Sequence, residues 1–365
     1  MSKKKICFIA QFPPPMHGLS KAVETLYNSE LNQEFVFEKV DITNNKKFLS
    51  TMKAIFKSKA DLFYFTISQT KGGNLRDLVI LKLLEIQKKK CLIHLHGGYY
   101  RTLVDSLGGW QARENYKAIG KLAGAIVLGP SLKWIFKGML PDQQIFTVAN
   151  CVDDQFLMDA ECFQNKVSTL KKRNVKHVLF LSNFIRTKGY PEVLKMAKAE
   201  KEKVNAGEEK KLHFDFAGKF FDDNEKRFFD TYVADNGLED YVTYHGVVGG
   251  KEKQNLLKKC DFFVLLTTYP NEGQPISILE AMGNGFVIIT TDHAGIPDIV
   301  KNGINGDVAN KTQIDYEREY NYMRSLAMDD IITIESVNRN TIIKSYNQNV
   351  YLSEMLKVFK TIIDD

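Results

Sequence analysis

Residues 262–282 read FFVLLTTYPNEGQPISILEAM, and this stretch joins an apolar strand to a helix. The run 262–266 is short, apolar and bounded by polar residues, as expected of a buried parallel strand. Ile276, Leu279 and Met282 then recur at helical spacing. The stretch therefore predicts strand, loop and helix, the unit from which parallel α/β sheets are built.

The start of this predicted helix is suited to a diphosphate. Pro275 fits the first helical position because its φ is already helical and it has no N–H to leave unpaired. Ile276 and Ser277 follow with free backbone N–H groups, at the end of the helix that carries partial positive charge. Gly273 allows a ligand to approach the backbone closely.

Two carboxylates flank this phosphate site. Glu272 lies in the loop, beside the group that is attached to the phosphate. Glu280 lies more than a turn inside the helix, where its carboxylate can accept hydrogen bonds from both hydroxyls of a ribose. A nucleotide-sugar fits between them. The alternative is that both are solvated carboxylates with no ligand.

The spacing of Glu272 and Glu280 resembles the E-x7-E motif of retaining GT-B glycosyltransferases of family 4, of the type that builds bacterial surface polysaccharides. Residues 283–292, 295–300 and 302–306 are also similar to the C-terminal half of that family. The resemblance implies an α/β fold of two Rossmann-like domains with a cleft between them. It also implies that the second domain holds the donor and the first the acceptor.

Bulk composition and length agree with a globular protein of two domains. The chain has 365 residues, which is too long for one ordinary core, and no apolar run reaches the length of a membrane span. Its five cysteines are scattered, with no C-x-x-C, and no signal peptide precedes the first strand, which predicts a cytoplasmic protein with reduced thiols. No metal-ligand spacing or nucleic-acid-binding module is present, so no metal, cofactor or nucleic acid is expected.

The first third of the chain contains a segment that is rich in lysine. Lysines 46, 47, 53, 57 and 59 flank apolar residues in a short amphipathic pattern. Two interpretations stay open, an ordinary surface helix or peripheral docking onto anionic lipid at the inner face of the membrane.

The chain begins with a predicted strand, 5–11, a proline-rich loop and a helix from residue 19. The loop ends at Gly18, and it is not a GxGxxG dinucleotide fingerprint. In the family that the chain resembles, the equivalent loop brings a glycine close to the donor phosphates, which assigns Gly18 to donor binding.

Two histidines mark the end of another predicted strand. His94 and His96 fall on one face of the strand, but only His96 reaches its carboxyl end, where ligands of open α/β sheets bind. By the resemblance His96 contacts the donor sugar, and His94 is expected to be structural.

The domain boundaries follow from the same comparison. Residues 148–153 are similar to the turn that closes the first domain, with Cys151 in place of a glycine, and the polar residues 165–176 are predicted to be a linker. We therefore predict an acceptor-binding domain over 1–165 and a nucleotide-sugar-binding domain over 166–340. Residues 341–365 are expected to form a helix that crosses back to the first domain.

The second domain supplies the remaining donor contacts. Lys188 matches the family lysine that grips the diphosphate, but Asn183 stands where the family has an arginine. Asn183 can donate a hydrogen bond without charge, and Arg186 is the candidate to replace the missing cation. The resemblance adds a contact from Gly246 and Val247 to the nucleobase. The loop residue Gln274 completes the donor-binding set, and the catalytic set is Glu272, His96 and Lys188.

The expected reaction is transfer of a sugar from a nucleoside diphosphate, with UDP the expected nucleotide, to a hydroxyl of a saccharide acceptor that is carried on a lipid. The resemblance implies retention of anomeric configuration without a metal. Two other classes stay open: a GT-B-like epimerase or phosphorylase, and a non-catalytic protein that binds nucleotide-sugars.

Overall fold

The computed structural model of the chain describes residues 3–14 and 18–364 and divides them into two compact units. Unit 1 comprises the residues up to Asn150, Pro270–Gln274 and the residues from Asn349 onward. Unit 2 comprises Cys151–Tyr269 and Pro275–Gln348. The E-x7-E motif is thus shared, because Glu272 belongs to unit 1 and Glu280 to unit 2.

Unit 1 is built on a six-stranded sheet in which every neighbouring pair is parallel. Its strands are β1 Lys5–Ala10, β2 Val36–Asp41, β3 Leu62–Thr66, β4 Cys91–His94, β5 Gly124–Val127 and β6 Ile145–Thr147, in the spatial order β2-β1-β3-β4-β5-β6. Its first five helices are α1 Gly18–Tyr27, α2 Phe48–Lys57, α3 Lys71–Ile86, α4 Tyr100–Ser106 and α5 Gly109–Ile119.

Unit 2 is a second parallel six-stranded sheet covered by helices. Its strands are β7 Lys176–Leu181, β8 Leu212–Ala217, β9 Val242–Tyr244, β10 Phe262–Leu265, β11 Val287–Thr291 and β12 Gly306–Ala309, in the order β12-β11-β10-β7-β8-β9. Its helices are α6 Ala160–Leu170, α7 Tyr190–Asn205, α8 Asp223–Asp235, α9 Gly250–Lys259, α10 Ile276–Gly283, α11 Ile296–Ile299, α12 Tyr316–Ser325 and α13 Met328–Ser345.

The strand order of unit 2 fixes where a ligand can bind. When the strands of this sheet are renumbered 1 to 6 from β7 to β12, their spatial order is 3-2-1-4-5-6, which is the order of a Rossmann fold. Strands β7 and β10 lie side by side at the point where the order reverses, and ligands of such sheets bind beyond the carboxyl ends of the strands at that point. The loops that begin at Ser182 and Leu266 leave these two ends.

The boundary between the units differs from the prediction. The structure places it between Asn150 and Cys151 rather than after residue 165, and the predicted linker 165–176 contains most of the last two turns of α6. Residues 165–170 are helical, and Lys166 is buried there. Its ammonium donates to the carbonyl of Asn284 at 3.0 Å and lies 3.8 Å from Glu335. A buried ion pair thus replaces the solvated linker that the composition suggested.

The C-terminal residues form two helices instead of one. The first, α13, belongs to unit 2, and α14, Gln348–Asp364, packs in unit 1 from Asn349 onward. Phe359 of α14 meets the rings of Tyr64 and Phe35 edge-on, with centroids 6.0 Å and 5.9 Å apart. The predicted return of the C-terminus to the first domain therefore involves α14 only.

Among residues 3–14 and 18–364, no helix is long and apolar enough to cross a lipid bilayer.

Candidate active site

The loop that carries Glu272 packs against the carboxyl end of β4 in unit 1. A Cβ added at Gly273 would lie 2.5 Å from the carbonyl oxygen of His96 and 3.0 Å from the Cα of Gly97. Glycine is therefore needed here because two backbone segments touch, whereas the sequence suggested a close approach by a ligand. Glu272 precedes Gly273 in the sequence and is only 8% exposed. The contact of Gly273 with His96 therefore holds the backbone of Glu272 near the end of β4.

Gln274 anchors the end of this loop. Its Oε1 accepts from the backbone N–H of Asn150 at 2.8 Å, and its Nε2 donates to the carbonyl of Leu128 at 3.2 Å. Its own carbonyl accepts from the side-chain amide of Asn150 at 2.9 Å. The side chain predicted to bind the donor is thus occupied in holding the loop.

His96 is buried and lies against His94. The two imidazole rings stack with centroids 3.9 Å apart, which confirms that they share a face, and His94 Nδ1 is bonded to the hydroxyl of Tyr64 at 2.7 Å. Burial lowers the pKa of His96 to about 4, so its ring is neutral at pH 7. Its Nε2 is buried without a hydrogen-bond partner among the described residues, which leaves this atom available to a ligand.

Gly18 is the first residue of α1 and is exposed, with open space around a Cβ built on it. Pro15, Met16 and His17 of the predicted phosphate loop lie outside the described residues, so the structure does not test that part of the prediction.

In unit 2, Lys188 lies at the switch point between β7 and β10. It ends a short 3-10 turn, Arg186–Lys188, and its ammonium lies over the ring of Tyr269, 4.7 Å from the centroid. The backbone N–H of Thr268 donates to the carbonyl of Thr187 at 2.7 Å, which joins the loops that follow the two strands. Gly189 completes the turn with a φ of +84°, and a Cβ there would lie 2.6 Å from the carbonyl oxygen of Leu266.

The N-terminus of α10 is one residue later than predicted. Pro275 is the N-cap, with a ψ of 118°, and Ile276 is the first helical residue. The N–H groups of Ile276 and Ser277 belong to the first turn, where helix geometry provides no intrahelical acceptor. They remain suited to an anion, as the sequence indicated.

Glu280 is buried in α10 and forms an ion pair that the sequence did not reveal. Its Oε1 accepts from the ammonium of Lys253 in α9 at 2.6 Å. Burial raises the pKa of Glu280, and the charge of Lys253 and its hydrogen bond oppose this rise.

Asn183 and Arg186, the two residues considered for the missing family arginine, have different surroundings. Asn183 is exposed in the loop after β7, whereas Arg186 extends toward α8. There its Nε donates to Glu225 at 3.1 Å and its guanidinium stacks 4.2 Å from the ring centroid of Phe228. These contacts give Arg186 a partner other than a diphosphate, and its role as the replacement cation stays a prediction.

The predicted base-binding residues lie after β9. Gly246 has a φ of +72° and its carbonyl accepts from the N–H of Gly218 at 2.8 Å, so the loop is tied to the end of β8. Val247 is 70% exposed. An exposed apolar side chain beside a fixed backbone is compatible with the face of a base.

One grouping with metal-ligand chemistry lies elsewhere in unit 2, and sequence spacing did not find it. His177, His213 and Asp215 bring a ligand atom each within 4.8 Å of one another. Asp215 is already bonded to His177 and His245, both at 2.7 Å, and to Lys259 at 3.0 Å, which hold the pKa of its carboxyl far below the usual range. Because its charge is already balanced, we assign no metal to it.

Comparison with known proteins agrees with this geometry. Residues 163–324, a little under half of the chain, match the family model described as Glycosyl transferases group 1. The amylovoran biosynthesis glycosyltransferase AmsK of Erwinia amylovora is 25% identical over 134 residues, which are 36% of this chain and 33% of that protein. The match thus spans about a third of this relative.

Solved structures extend the similarity to the whole fold. HepE of Anabaena in complex with UDP and glucose superposes with a TM-score of 0.70 at 14% identity, covering 98% of this chain and 100% of that one. Sucrose-phosphate synthase from Thermosynechococcus elongatus superposes with a TM-score of 0.75 at 13% identity, covering 99% and 100%. The chain therefore has the GT-B fold, and the prediction of the fold class is confirmed.

Proposed function

We propose that this chain is a retaining glycosyltransferase that moves a sugar from a UDP-sugar to a hydroxyl of a saccharide acceptor during surface-polysaccharide assembly. The observation that carries the proposal is the switch point of unit 2. There Lys188 and the N-terminus of α10 follow two adjacent strands within the segment that matches the Glycosyl transferases group 1 model, and Glu280 lies in the same helix. UDP bound to HepE and the amylovoran role of AmsK support the substrate classes.

The residues of unit 2 act on the nucleotide. Glu280 accepts from the ribose hydroxyls, and Lys188 with the first N–H groups of α10 neutralises the charge that grows on the diphosphate as it leaves. The bond between the anomeric carbon and the diphosphate oxygen breaks, and the acceptor oxygen bonds to the same face of that carbon. The acceptor proton passes to the leaving phosphate, so charge and atoms balance.

The residues of unit 1 act on the sugar. Glu272 binds sugar hydroxyls, and its negative charge stabilises a sugar with oxocarbenium character. His96 is neutral because of its burial, so it serves as a hydrogen-bonding group toward the sugar and not as a general acid.

The test of this function is Glu272→Gln. A thermal-shift panel of UDP-sugars first identifies the donor, because a ligand that binds the folded state raises its stability. Loss of the Glu272 charge should lower kcat by about 100- to 1000-fold, which is the usual cost of one such electrostatic contact. UDP affinity, measured by calorimetry, should stay within twofold.

Glu30→Gln is the matched control, because Glu30 is an exposed carboxylate of the same unit. Near-normal turnover of the Glu272 variant would refute the proposal. So would conversion of the donor without an acceptor, which is the behaviour of an epimerase.

We further propose that the acceptor is lipid-linked and that unit 1 docks on anionic lipid through α2 and α3. The exposed faces of these helices carry large apolar side chains, of which Leu49 is 84%, Phe56 62% and Ile86 70% exposed. The side-chain amide of Gln87 donates to the carbonyl of Phe56 at 3.0 Å, which joins the C-terminal ends of the helices.

Basic residues surround these apolar side chains. Lysines 46, 47, 53 and 57 are exposed on and beside α2. Each lysine near an anionic surface contributes about 1 kcal/mol, and the apolar residues insert among the headgroups. Such a surface matches a membrane better than it matches solvent.

Sedimentation with vesicles tests this docking. Binding to vesicles that contain phosphatidylglycerol, an anionic lipid, should fall at least about fivefold when these four lysines become glutamine. The control replaces lysines 117, 121, 133 and 137, which are exposed elsewhere in unit 1, with glutamine. Equal binding to neutral vesicles, or equal losses in both variants, would contradict the proposal and favour a soluble acceptor.

A further inference from the structure

Lys253 is the residue of α9 that faces the candidate ribose site. Its side chain is 17% exposed, whereas Lys251, Lys258 and Lys259 of the same helix are exposed residues. A lysine loses favourable hydration on burial unless an anion compensates for the loss. The compensating anion is Glu280, at 2.6 Å.

Two further contacts fix the position of Lys253. Its ammonium lies over the ring of Phe156, 4.1 Å from the centroid, which is a favourable cation–π geometry. The next residue, Gln254, donates from its side-chain amide to the carbonyl of Gln155 at 2.8 Å. The middle of α9 is thus attached to the short turn Asp154–Phe156, and both contacts hold the Lys253 ammonium beside Glu280.

The charges around Glu280 explain why it needs a cation. Burial disfavours the charged form of the carboxyl, and the nearby Asp153 disfavours it further. Lys253 is the cation that opposes both effects. A protonated carboxyl would lose part of its capacity to accept from two hydroxyls, because one of its oxygens would then carry a proton.

We propose that Lys253 is a positioning residue for UDP binding: it keeps the Glu280 carboxylate charged and oriented so that both carboxylate oxygens serve the ribose hydroxyls. This inference rests on the proposed function, since it takes Glu280 as the ribose-binding group. The sign of the pH effect follows. Without Lys253 the carboxyl retains its proton to higher pH, so UDP affinity is lost at low pH and recovers as the pH rises.

Calorimetry with UDP at pH 6.5, 7.5 and 8.5 tests the inference. The wild type and the control Lys251→Met should vary by less than threefold over this range. Lys253→Met should bind UDP more weakly than the wild type at pH 6.5, and the difference should shrink by pH 8.5, because the carboxyl loses its proton as the pH rises. Lys253→Arg, which retains the charge, should stay within threefold of the wild type at every pH.

The variant Glu280→Gln separates this inference from the function on which it rests. It should bind UDP weakly at every pH, and adding Lys253→Met to it should cause no further loss, because the two residues act as one group. A wild type that does not bind UDP would overturn the proposed function. A wild type that binds, together with a Lys253→Met variant that behaves like Lys251→Met, would overturn the role of Lys253 alone.

Two other outcomes are also decisive. A loss in Lys253→Met that is independent of pH and adds to that of Glu280→Gln would show direct contact with the nucleotide and overturn the positioning role. Thermal unfolding verifies that each variant is folded, and Lys253→Gln replaces the methionine variant if that one is not.

Discussion

Gly273→Ala is the substitution that best isolates the loop of Glu272. The added Cβ would lie 2.5 Å from the carbonyl oxygen of His96, 2.9 Å from Leu128 Cδ1 and 3.0 Å from the Cα of Gly97. Leu128 can rotate away, but the other two atoms belong to the backbone at the end of β4. The loop itself must therefore move.

The size of the effect follows from these distances. The oxygen of His96 lies 2.5 Å away where ordinary contact begins at 3.4 Å, so the loop has to shift by about 1 Å, and overpacking of this kind costs typically about 1–3 kcal/mol. Displacement of a catalytic group by about 1 Å can lower the rate about 100-fold. Because Glu272 is the next residue, we expect kcat to fall by about that factor.

Steady-state kinetics with the identified donor, together with calorimetry of UDP, measures the effect. UDP affinity should be retained, because Lys188, Glu280 and the first N–H groups of α10, which we propose act on the nucleotide, lie in unit 2. Gly72→Ala is the control, since a Cβ at Gly72 has no neighbour within 4 Å. A Gly273→Ala enzyme with kcat within twofold of the wild type would refute the reasoning, and so would a loss of UDP affinity as large as the loss of kcat.

Three further predictions concern individual contacts. Tyr64→Phe removes the partner of buried His94 Nδ1 and should lower the free energy of unfolding by about 1–3 kcal/mol in urea titrations, whereas a change under 0.5 kcal/mol would contradict the assigned bond. Arg186→Ala removes an exposed pair with Glu225 and should change stability by less than about 1 kcal/mol; a tenfold loss of UDP affinity would instead assign Arg186 to the diphosphate. Because burial lowers the pKa of His96 to about 4, the unfolded chain binds the proton first, so stability should decline as the pH falls from about 6.5 toward 4. Urea titrations at pH 7.5 and 5.5 should show a smaller decline in His96→Gln, and an equal decline would contradict this origin.

The strands that could be predicted from the sequence are short apolar runs between polar residues. β10 and β1 are each predicted to within one residue. The segment of α6 was misassigned for the opposite reason. The segment around Lys166 is polar and rich in lysine, which is typical of a linker. The carbonyl of Asn284 and the carboxylate of Glu335, which contact Lys166, are distant in the sequence and come near it only in the fold.

The candidate site was predictable in residue type but not in side-chain contacts. The E-x7-E spacing nominated both carboxylates and placed the start of α10 to within one residue, because these features depend on local sequence. The partners Lys253 and Asn150 lie 27 and 124 residues away from Glu280 and Gln274, so no local pattern links them. Gly273 was expected to let a ligand approach the backbone, and the structure shows that the backbone of His96 approaches it.

The position of α14 in unit 1 determines the order in which the chain can fold during synthesis. Unit 1 contains the residues up to Asn150. Its aromatic contacts with Phe359, and the bond from Lys90 to the carbonyl of Ile362 at 3.0 Å, come from α14. Domains generally fold as the ribosome releases them, the N-terminal one first. Unit 1 is therefore incomplete until α14 has been synthesised, so a nascent chain carries an exposed apolar surface around Phe35 and Tyr64 until that helix emerges.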